Sequence, residues 1–169
     1  PDTSQITEQL GTQRSRGVEV EAEAHPDDTL SIYASYALND SEYTEFMQTL
    51  VVQTAEGFDV QTVARVGATP AFAPEHILNI WAEKRLDSGL GLALGARYVG
   101  DQFVSEENAF TIDSVLTLDA GVSYAYEDVT WRLNVRNLTD REYVTRGFGE
   151  FSVIPAQPIT VFSSLGWSL

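Results

Sequence analysis

Apolar and polar residues alternate along much of the chain, most regularly in its last third. From Leu116 to Tyr126 every second residue is apolar or aromatic, a short acidic turn follows, and the pattern returns over 131–135. Successive side chains of a β-strand point to opposite faces of a sheet, so this alternation predicts strands with one apolar face and one polar face. The chain also ends on an alternating segment, which favours a bacterial outer-membrane barrel over a soluble β-sandwich.

Turn and breaker residues divide the alternating segments into separate strands. The seven predicted strands run approximately over 14–24, 30–39, 75–86, 90–100, 113–126, 129–138 and 157–169. Tight connections alternate with long ones, and the long ones lie near 40–74, 101–112 and 139–156. Outer-membrane barrels have short periplasmic turns and longer external loops. We therefore expect an all-β, antiparallel transmembrane β-barrel segment whose long connections are external.

Aromatic residues near the strand ends support this orientation. Barrels carry aromatic girdles at both membrane interfaces. The residues expected in the two girdles are Tyr124, Tyr126, Trp131 and Trp167 on the periplasmic side and Tyr36 and Tyr98 on the external side. The opposite, polar row is predicted to carry Glu19, Glu21, Glu23, Arg97, Asp119, Arg132 and Arg136. In the strand 75–86 the facing stays open, because Trp81 lies between the apolar residues Ile80 and Ala82.

Composition excludes several functions. The net charge of −15, with Lys84 as the single lysine, argues against nucleic acid as a partner, because phosphates need a basic surface. The chain has no cysteine, and His25 and His76 are isolated. We therefore expect no enzymatic activity, no cofactor and no metal site. The carboxylates of Glu19, Glu21 and Glu23 are expected to line a lumen, with a cation site as the alternative.

The segment 131–143 resembles the penultimate-strand motif of TonB-dependent outer-membrane receptors, commonly Asn-Leu-Phe-Asp-Lys-x-Tyr. The matching residues are Asn137, Leu138, Asp140 and Tyr143, whereas Thr139 stands where the family often has an aromatic residue. The stretches 13–22, 95–101 and 158–162 also look like ferric-siderophore-type members. The resemblance implies a structural role for the four matching residues.

The resemblance also implies that the chain, 1–169, is the carboxyl-terminal part of a larger receptor. Family members have a plug domain inside a 22-stranded barrel, of which these would be the last seven strands. The implied function is import of a scarce nutrient, most often a ferric siderophore, with energy from the TonB complex acting through parts absent here. Other implied partners are the plug, the remaining strands, outer-membrane lipid and lipopolysaccharide.

The barrel assembly machinery is a further implied partner, because family barrels end on an alternating apolar segment that this machinery reads. Here the segment ends on Leu165, Trp167 and Leu169, with leucine in place of the usual terminal Phe.

Candidate ligand contacts lie in the long connections, because loops at the mouth of a barrel meet the substrate first. They are Phe103, Phe110, Arg146, Phe148 and Phe151. Two other functions stay open: a complete small outer-membrane barrel with a structural or adhesive role, in which 1–13 would add an eighth strand, and an outer-membrane barrel enzyme. A soluble β protein is the last alternative.

Overall fold

The computed structural model describes residues 11–149 and 152–168, and their regular secondary structure is entirely β. The prediction of an all-β fold is confirmed. Within these ranges, no helix is long and apolar enough to cross a membrane. The strands are β1 (Gly11–Asp27), β2 (Leu30–Thr54), β3 (Gly57–Ala64), β4 (His76–Arg85), β5 (Leu90–Val99), β6 (Gln102–Phe103), β7 (Thr111–Ile112), β8 (Val115–Tyr126), β9 (Val129–Arg136), β10 (Val144–Gly147), β11 (Val153–Pro155) and β12 (Thr160–Trp167).

Seven of these strands form one antiparallel meander in the order β1-β2-β4-β5-β8-β9-β12, and β3 pairs with the far end of β2. They correspond to the seven predicted strands. The pairs β1–β2, β4–β5 and β8–β9 are joined by short turns, whereas β2–β4, β5–β8 and β9–β12 are joined by the long connections. In the described ranges β1 and β12 lie at opposite ends of this order and do not pair with each other.

The short turns are built by local hydrogen bonds. After β1, the Asp27 carboxylate accepts hydrogen bonds from the backbone N–H of Thr29 at 2.8 Å and of Leu30 at 2.9 Å. Lys84 on β4, on the far side of β2, donates to the same carboxylate at 3.0 Å. Asp at the first position of a turn commonly bonds its own backbone in this way. His25, which falls between the predicted strands 14–24 and 30–39, lies instead in β1.

The three long connections contain hairpins rather than irregular loops. In the connection expected over 40–74, β2 continues to Thr54 and β3 returns beside it as far as Ala64. The pairs β6–β7 and β10–β11 occupy parts of 101–112 and 139–156. The alternation over 40–54 is broken by polar and charged residues, which is why the sequence predicts a loop there.

One face of the sheet is almost entirely apolar. A row across the strands joins Leu94, Ala120, Val135 and Val161, each opposite the next. Leu94 is nevertheless 56% exposed, and among the described residues the buried apolar side chains are few: Val104, Ile112 and Pro70. A sheet with an exposed apolar face needs an apolar surrounding, and lipid supplies one for a barrel.

The other face is polar, and it includes Trp81. The register places Trp81 opposite Gly95, and a Cβ on Gly95 would lie 2.6 Å from the indole Cε3 atom. Leu78, Ile80 and Ala82 therefore face outward with the apolar row. The glycine leaves the space that the indole occupies, which resolves the facing that the sequence left open.

Candidate ligand-binding site

A cavity of about 350 Å³ opens where the polar face meets the long connections. Its walls come from β4, β5 and β8, from the segment before β4 and from β10. The lining side chains with polar or aromatic groups are Phe72, Arg97, Gln102, Asp113, Thr117, Tyr143, Thr145 and Arg146. Concave sites with a few convergent polar groups on a mostly apolar wall are typical of ligand binding.

Arg97 enters the cavity from β5, held by side chains on two neighbouring strands. Ser35, Asn79 and Arg97 lie opposite one another across β2, β4 and β5. Arg97 donates to the Asn79 amide oxygen at 2.8 Å, and the Asn79 amide nitrogen donates to the Ser35 hydroxyl at 3.1 Å. The amide fixes one edge of the guanidinium and leaves further N–H groups for another acceptor.

Phe72 and Arg146 meet on the other side of the cavity. The Arg146 guanidinium carbon lies 5.9 Å from the centre of the Phe72 ring, within cation–π range. Phe72 has a φ of 57°, a left-handed conformation that a bulky residue rarely adopts, and its N–H donates to the Phe103 carbonyl at 2.9 Å. Such conformations cost roughly 1–3 kcal/mol and are concentrated at functional sites.

Asn137 anchors the connection that carries Tyr143 and Arg146. It is only 6% exposed and has a φ of 50°, a conformation that Asn tolerates better than most residues. Its amide nitrogen donates to the carbonyls of Arg141 at 3.0 Å and Gln157 at 3.2 Å, and its amide oxygen accepts from the Arg141 N–H at 2.9 Å. Asn137 thereby joins the two ends of the connection.

Asp140 and Leu138 extend this corner. The Asp140 carboxylate accepts from the N–H of Ile159 at 2.8 Å, while the Leu138 N–H donates to the Leu118 carbonyl at 2.7 Å. The Tyr143 carbonyl accepts from the N–H of Ala156 at 2.8 Å. All four residues of the sequence motif therefore lie at the base of one connection, and each of them bonds its far side or the neighbouring strand.

The long connections at the rim are mainly acidic: 40–74 and 101–112 together carry eight Asp and Glu residues and one basic residue, Arg65. Arg65 donates to Gln48 at 2.8 Å and lies 3.7 Å from the Glu107 carboxylate. Burial, and to a lesser extent the Glu106 carboxylate, raises the pKa of the Tyr43 phenol above its ordinary value. The cavity, which Phe72, Gln102 and Ile112 of these connections help to line, therefore has an acidic rim.

The ligand contacts predicted from sequence are divided among several places. Arg146 lines the cavity, and Phe110 lines an adjoining cavity of about 310 Å³. Phe103 borders the site through its backbone carbonyl, whereas Phe148 is 82% exposed and lines neither cavity. Phe151 lies outside the described residues.

Sequence reasoning missed Phe72, Gln102 and Asp113, and it placed Arg97 on the polar face without assigning it to a ligand. Phe72 carries a weak signal, because it is an aromatic residue between Pro70 and Pro74 in a connection. Nothing in the linear pattern brings these residues together.

The acidic ladder of β1 does not converge on a metal. Glu21 accepts a hydrogen bond from the Tyr33 hydroxyl at 3.2 Å, and Glu23 lies 3.1 Å from His25. No group of three or more His, Cys, Asp or Glu side chains in 11–149 and 152–168 is placed to hold a metal ion. At the other end of the sheet, Leu165 and Trp167 lie on the outward face and are 73% and 74% exposed. Leu169 lies outside the described residues.

Comparison with known sequences gives a consistent result. A family model described as the TonB dependent receptor-like β-barrel matches residues 1–138. The ferrichrome outer membrane transporter/phage receptor of Escherichia coli (strain K12) is 32% identical over 160 residues, which cover 89% of this chain and 19% of that protein. The ferrioxamine receptor of Yersinia enterocolitica is 28% identical over 141 residues, covering 79% and 18%. The chain thus spans about a fifth of the length of these relatives.

Solved structures show the same fold. The siderophore receptor PiuA from Acinetobacter baumannii superposes with a TM-score of 0.79 at 20% identity, covering 93% of this chain and 22% of that one. The ferric preacinetobactin receptor BauA from the same species gives a TM-score of 0.72 at 24% identity, covering 94% and 22%. At this level of identity the likeness concerns the fold alone.

Proposed function

Because this chain belongs to the TonB-dependent receptor-like β-barrel family, whose members are outer-membrane transporters and not enzymes, we propose that it serves in the import of a ferric siderophore. In this proposal the chain supplies the last seven strands of a 22-stranded barrel. The nutrient binds at the external mouth and enters when the TonB complex acts on the plug, both of which lie beyond this chain.

The observation that carries the proposal is the cavity at the end of the polar face. It combines aromatic side chains with donors held by neighbouring strands, and it lies at the edge from which all three long connections emerge. The relatives named for ferrichrome and ferrioxamine add support for a ferric siderophore as the ligand. Arg146 and Phe110, with Tyr143 between the two cavities, are the proposed contacts from 139–156 and 101–112.

The remaining partners follow from the two faces of the sheet. Outer-membrane lipid would cover the apolar rows, and lipopolysaccharide would surround the external hairpins. The plug and the remaining strands would meet the polar face and the edges of β1 and β12. Leu165 and Trp167 would take part in recognition by the barrel assembly machinery, as expected of an alternating apolar end.

Growth under iron limitation tests the proposal. Cells that lack the complete receptor gene should fail to use one ferric siderophore that supports the parent strain, and the intact gene should restore this growth. Uptake of the radioactive ferric chelate should require TonB. Deletion without effect on any ferric chelate, combined with loss of uptake of an iron-free nutrient, would contradict the proposal.

A further inference from the structure

We propose that the cavity bounded by Arg97, Arg146 and Phe72 selects ferric chelates that carry net negative charge on catecholate or carboxylate oxygens. This inference rests on the proposed function and specifies the substrate class of the same site. The net charge of the whole chain would instead disfavour an anionic ligand, because the chain carries 25 Asp and Glu against 10 Lys and Arg.

The two arginines of the cavity have no acidic partner. Among the described residues, Arg97 and Arg146 have no carboxylate within ion-pair distance. Arg14, Arg65 and Lys84 do pair with carboxylates, whereas the other arginines of the described residues do not. Arg97 and Arg146 differ from those other arginines because both line the same cavity, where they are available together to an anion from outside.

Neutral side chains hold Arg97 in its orientation. The Ser35–Asn79–Arg97 sequence of hydrogen bonds crosses three strands and fixes the guanidinium of Arg97 through a neutral acceptor. A neutral partner keeps the full positive charge of the guanidinium available. Planar guanidinium groups bind carboxylate and similar oxygen pairs through two parallel hydrogen bonds, which are about twice as strong as neutral ones.

Phe72 and Arg146 form the opposite wall of the cavity. The Phe72 ring supports the Arg146 guanidinium by a cation–π contact, which leaves the N–H edges free to donate. The ring also gives an aromatic or planar chelating group a surface to stack against. The strained conformation of Phe72 positions the ring here, and the hydrogen bond from its N–H to Phe103 holds that conformation.

Donors outnumber carboxylates in the cavity. Arg97, Arg146, Gln102 and Tyr143 bring donors to it, and Asp113 is the one carboxylate among its lining residues in the described part of the chain. Charges of the acidic rim that lie farther from a bound chelate than about 8 Å, the screening length at physiological ionic strength, are largely screened by salt. Charge inside the cavity therefore decides the retention of the chelate, while the rim slows its approach.

Binding to the complete purified receptor tests the inference, with two ferric chelates of similar size as probes. One is a negatively charged ferric tris-catecholate and the other a neutral ferric tris-hydroxamate. In the double variant Arg97→Gln/Arg146→Gln, affinity for the tris-catecholate should fall about a hundredfold, since a hydrogen bond to a charged group contributes about 1.5–3 kcal/mol and 1.4 kcal/mol is tenfold. Affinity for the tris-hydroxamate should change by less than about threefold.

Arg136→Gln is the matched control. Arg136 lies on the same polar face, stacks on Phe162 at 5.2 Å and lies outside the cavity, so its loss should leave both affinities unchanged. The variant Arg97→Lys/Arg146→Lys keeps the charge and should recover part of the tris-catecholate affinity. It also provides a folded comparison if the glutamine variant assembles poorly.

The outcomes separate the two proposals. Equal or tighter binding of the tris-hydroxamate by the unaltered receptor, or an equal loss for both chelates in the double variant, would overturn the inference and leave the proposed function standing. Failure of the receptor to bind or import either ferric chelate or any other would overturn the proposed function itself.

Discussion

The two faces of the same seven strands differ in almost every property that side chains can have. Outward positions carry Leu, Val, Ala and aromatic residues, whereas inward positions carry carboxylates, guanidinium groups, amides and glycine. In most proteins an apolar face is covered by a second layer of the same chain. Here the apolar face is exposed. The alternation therefore reflects two different surroundings of the sheet, one apolar and one polar, rather than a protein core and a protein surface.

The outward face is specified by the surrounding lipid, and the inward face by neighbouring side chains. Any apolar residue of moderate size is compatible with lipid, so outward positions tolerate exchange among apolar types. Inward residues depend on particular partners, as Trp81 depends on Gly95 and Arg97 on Asn79. Substitutions on the two faces should therefore differ in effect.

A charge in the middle of the outward row should have the largest effect. In the complete receptor, Leu94→Arg should reduce the amount of assembled barrel in the outer membrane severely, because arginine at the bilayer midplane costs about 2–4 kcal/mol. Ala93→Arg is the matched control, since Ala93 lies beside Gly91 and Gly121 at a notch on the polar face. Heat-modifiable mobility of the purified membranes measures assembly, and equal yields of the two variants would refute the assignment of the faces.

The corner at Asn137 should give the next largest effect. Asn137→Ala removes three side-chain hydrogen bonds and leaves at positive φ a residue that tolerates this conformation less well than Asn, for an expected loss of about 2–3 kcal/mol. Limited proteolysis should then cut the 139–156 connection faster, and ligand affinity should fall with it. Asn137→Gly removes the same hydrogen bonds but avoids the backbone strain at positive φ, so its loss of stability should be smaller. If both variants behave like the unaltered receptor, the corner does not hold the connection.

The contact between Trp81 and Gly95 should give a smaller loss. Gly95→Ala forces the indole to move, and overpacking of this kind costs about 1–3 kcal/mol, at the lower end here because Trp81 is partly exposed. Gly166→Ala is the control, since a Cβ there would lie no nearer than 3.7 Å to another atom. Denaturant unfolding of the complete receptor should separate the two substitutions, and identical midpoints would contradict the packing described.

The turn after β1 should show the smallest effect, and one that depends on pH. The pKa of the Asp27 carboxyl is lowered by hydrogen bonds from the Thr29 hydroxyl and backbone N–H, and then by Lys84. Asp27 lies at the turn, past the apolar outward residues of β1. A carboxyl whose folded pKa is lowered stabilises the fold above its unfolded pKa, and this contribution is lost as pH falls through the folded pKa. Asp27→Asn should therefore be less stable near neutrality, with the difference shrinking in acid. A pH-independent difference would show that the charge is irrelevant.

Period-two alternation was sufficient to predict the meander, because every second residue of a membrane strand faces lipid and is therefore apolar. The short turns were equally visible, since Asp27, Gly89 and Glu127 are ordinary turn residues, two of them at positive φ. The facing of Trp81 was not visible, because it depends on the absence of a side chain on a neighbouring strand.

The candidate site was predicted only in part. Arg146 follows from its position in a loop, but the cavity combines it with Phe72 and Arg97, which lie 74 and 49 positions earlier. Such a combination depends on register between strands and on a left-handed residue, and neither has a local pattern. The long hairpin of β2 and β3 was missed for a related reason, since its apolar residues change phase at Thr44.

That change of phase has a consequence for how the molecule can vary. Thr44 is an extra residue in β2, because Thr12 lies opposite Glu45 and Gln13 opposite Tyr43. It places Met47, Val51 and, on β3, Val60 on the same side as the outward row. Deleting Thr44 would reverse the facing of the β2–β3 hairpin, so that Leu50, Gln61 and Asp59 would lie on the outward side instead. One small deletion would thereby give the cell a different outer surface, with the strands in the membrane left as they are.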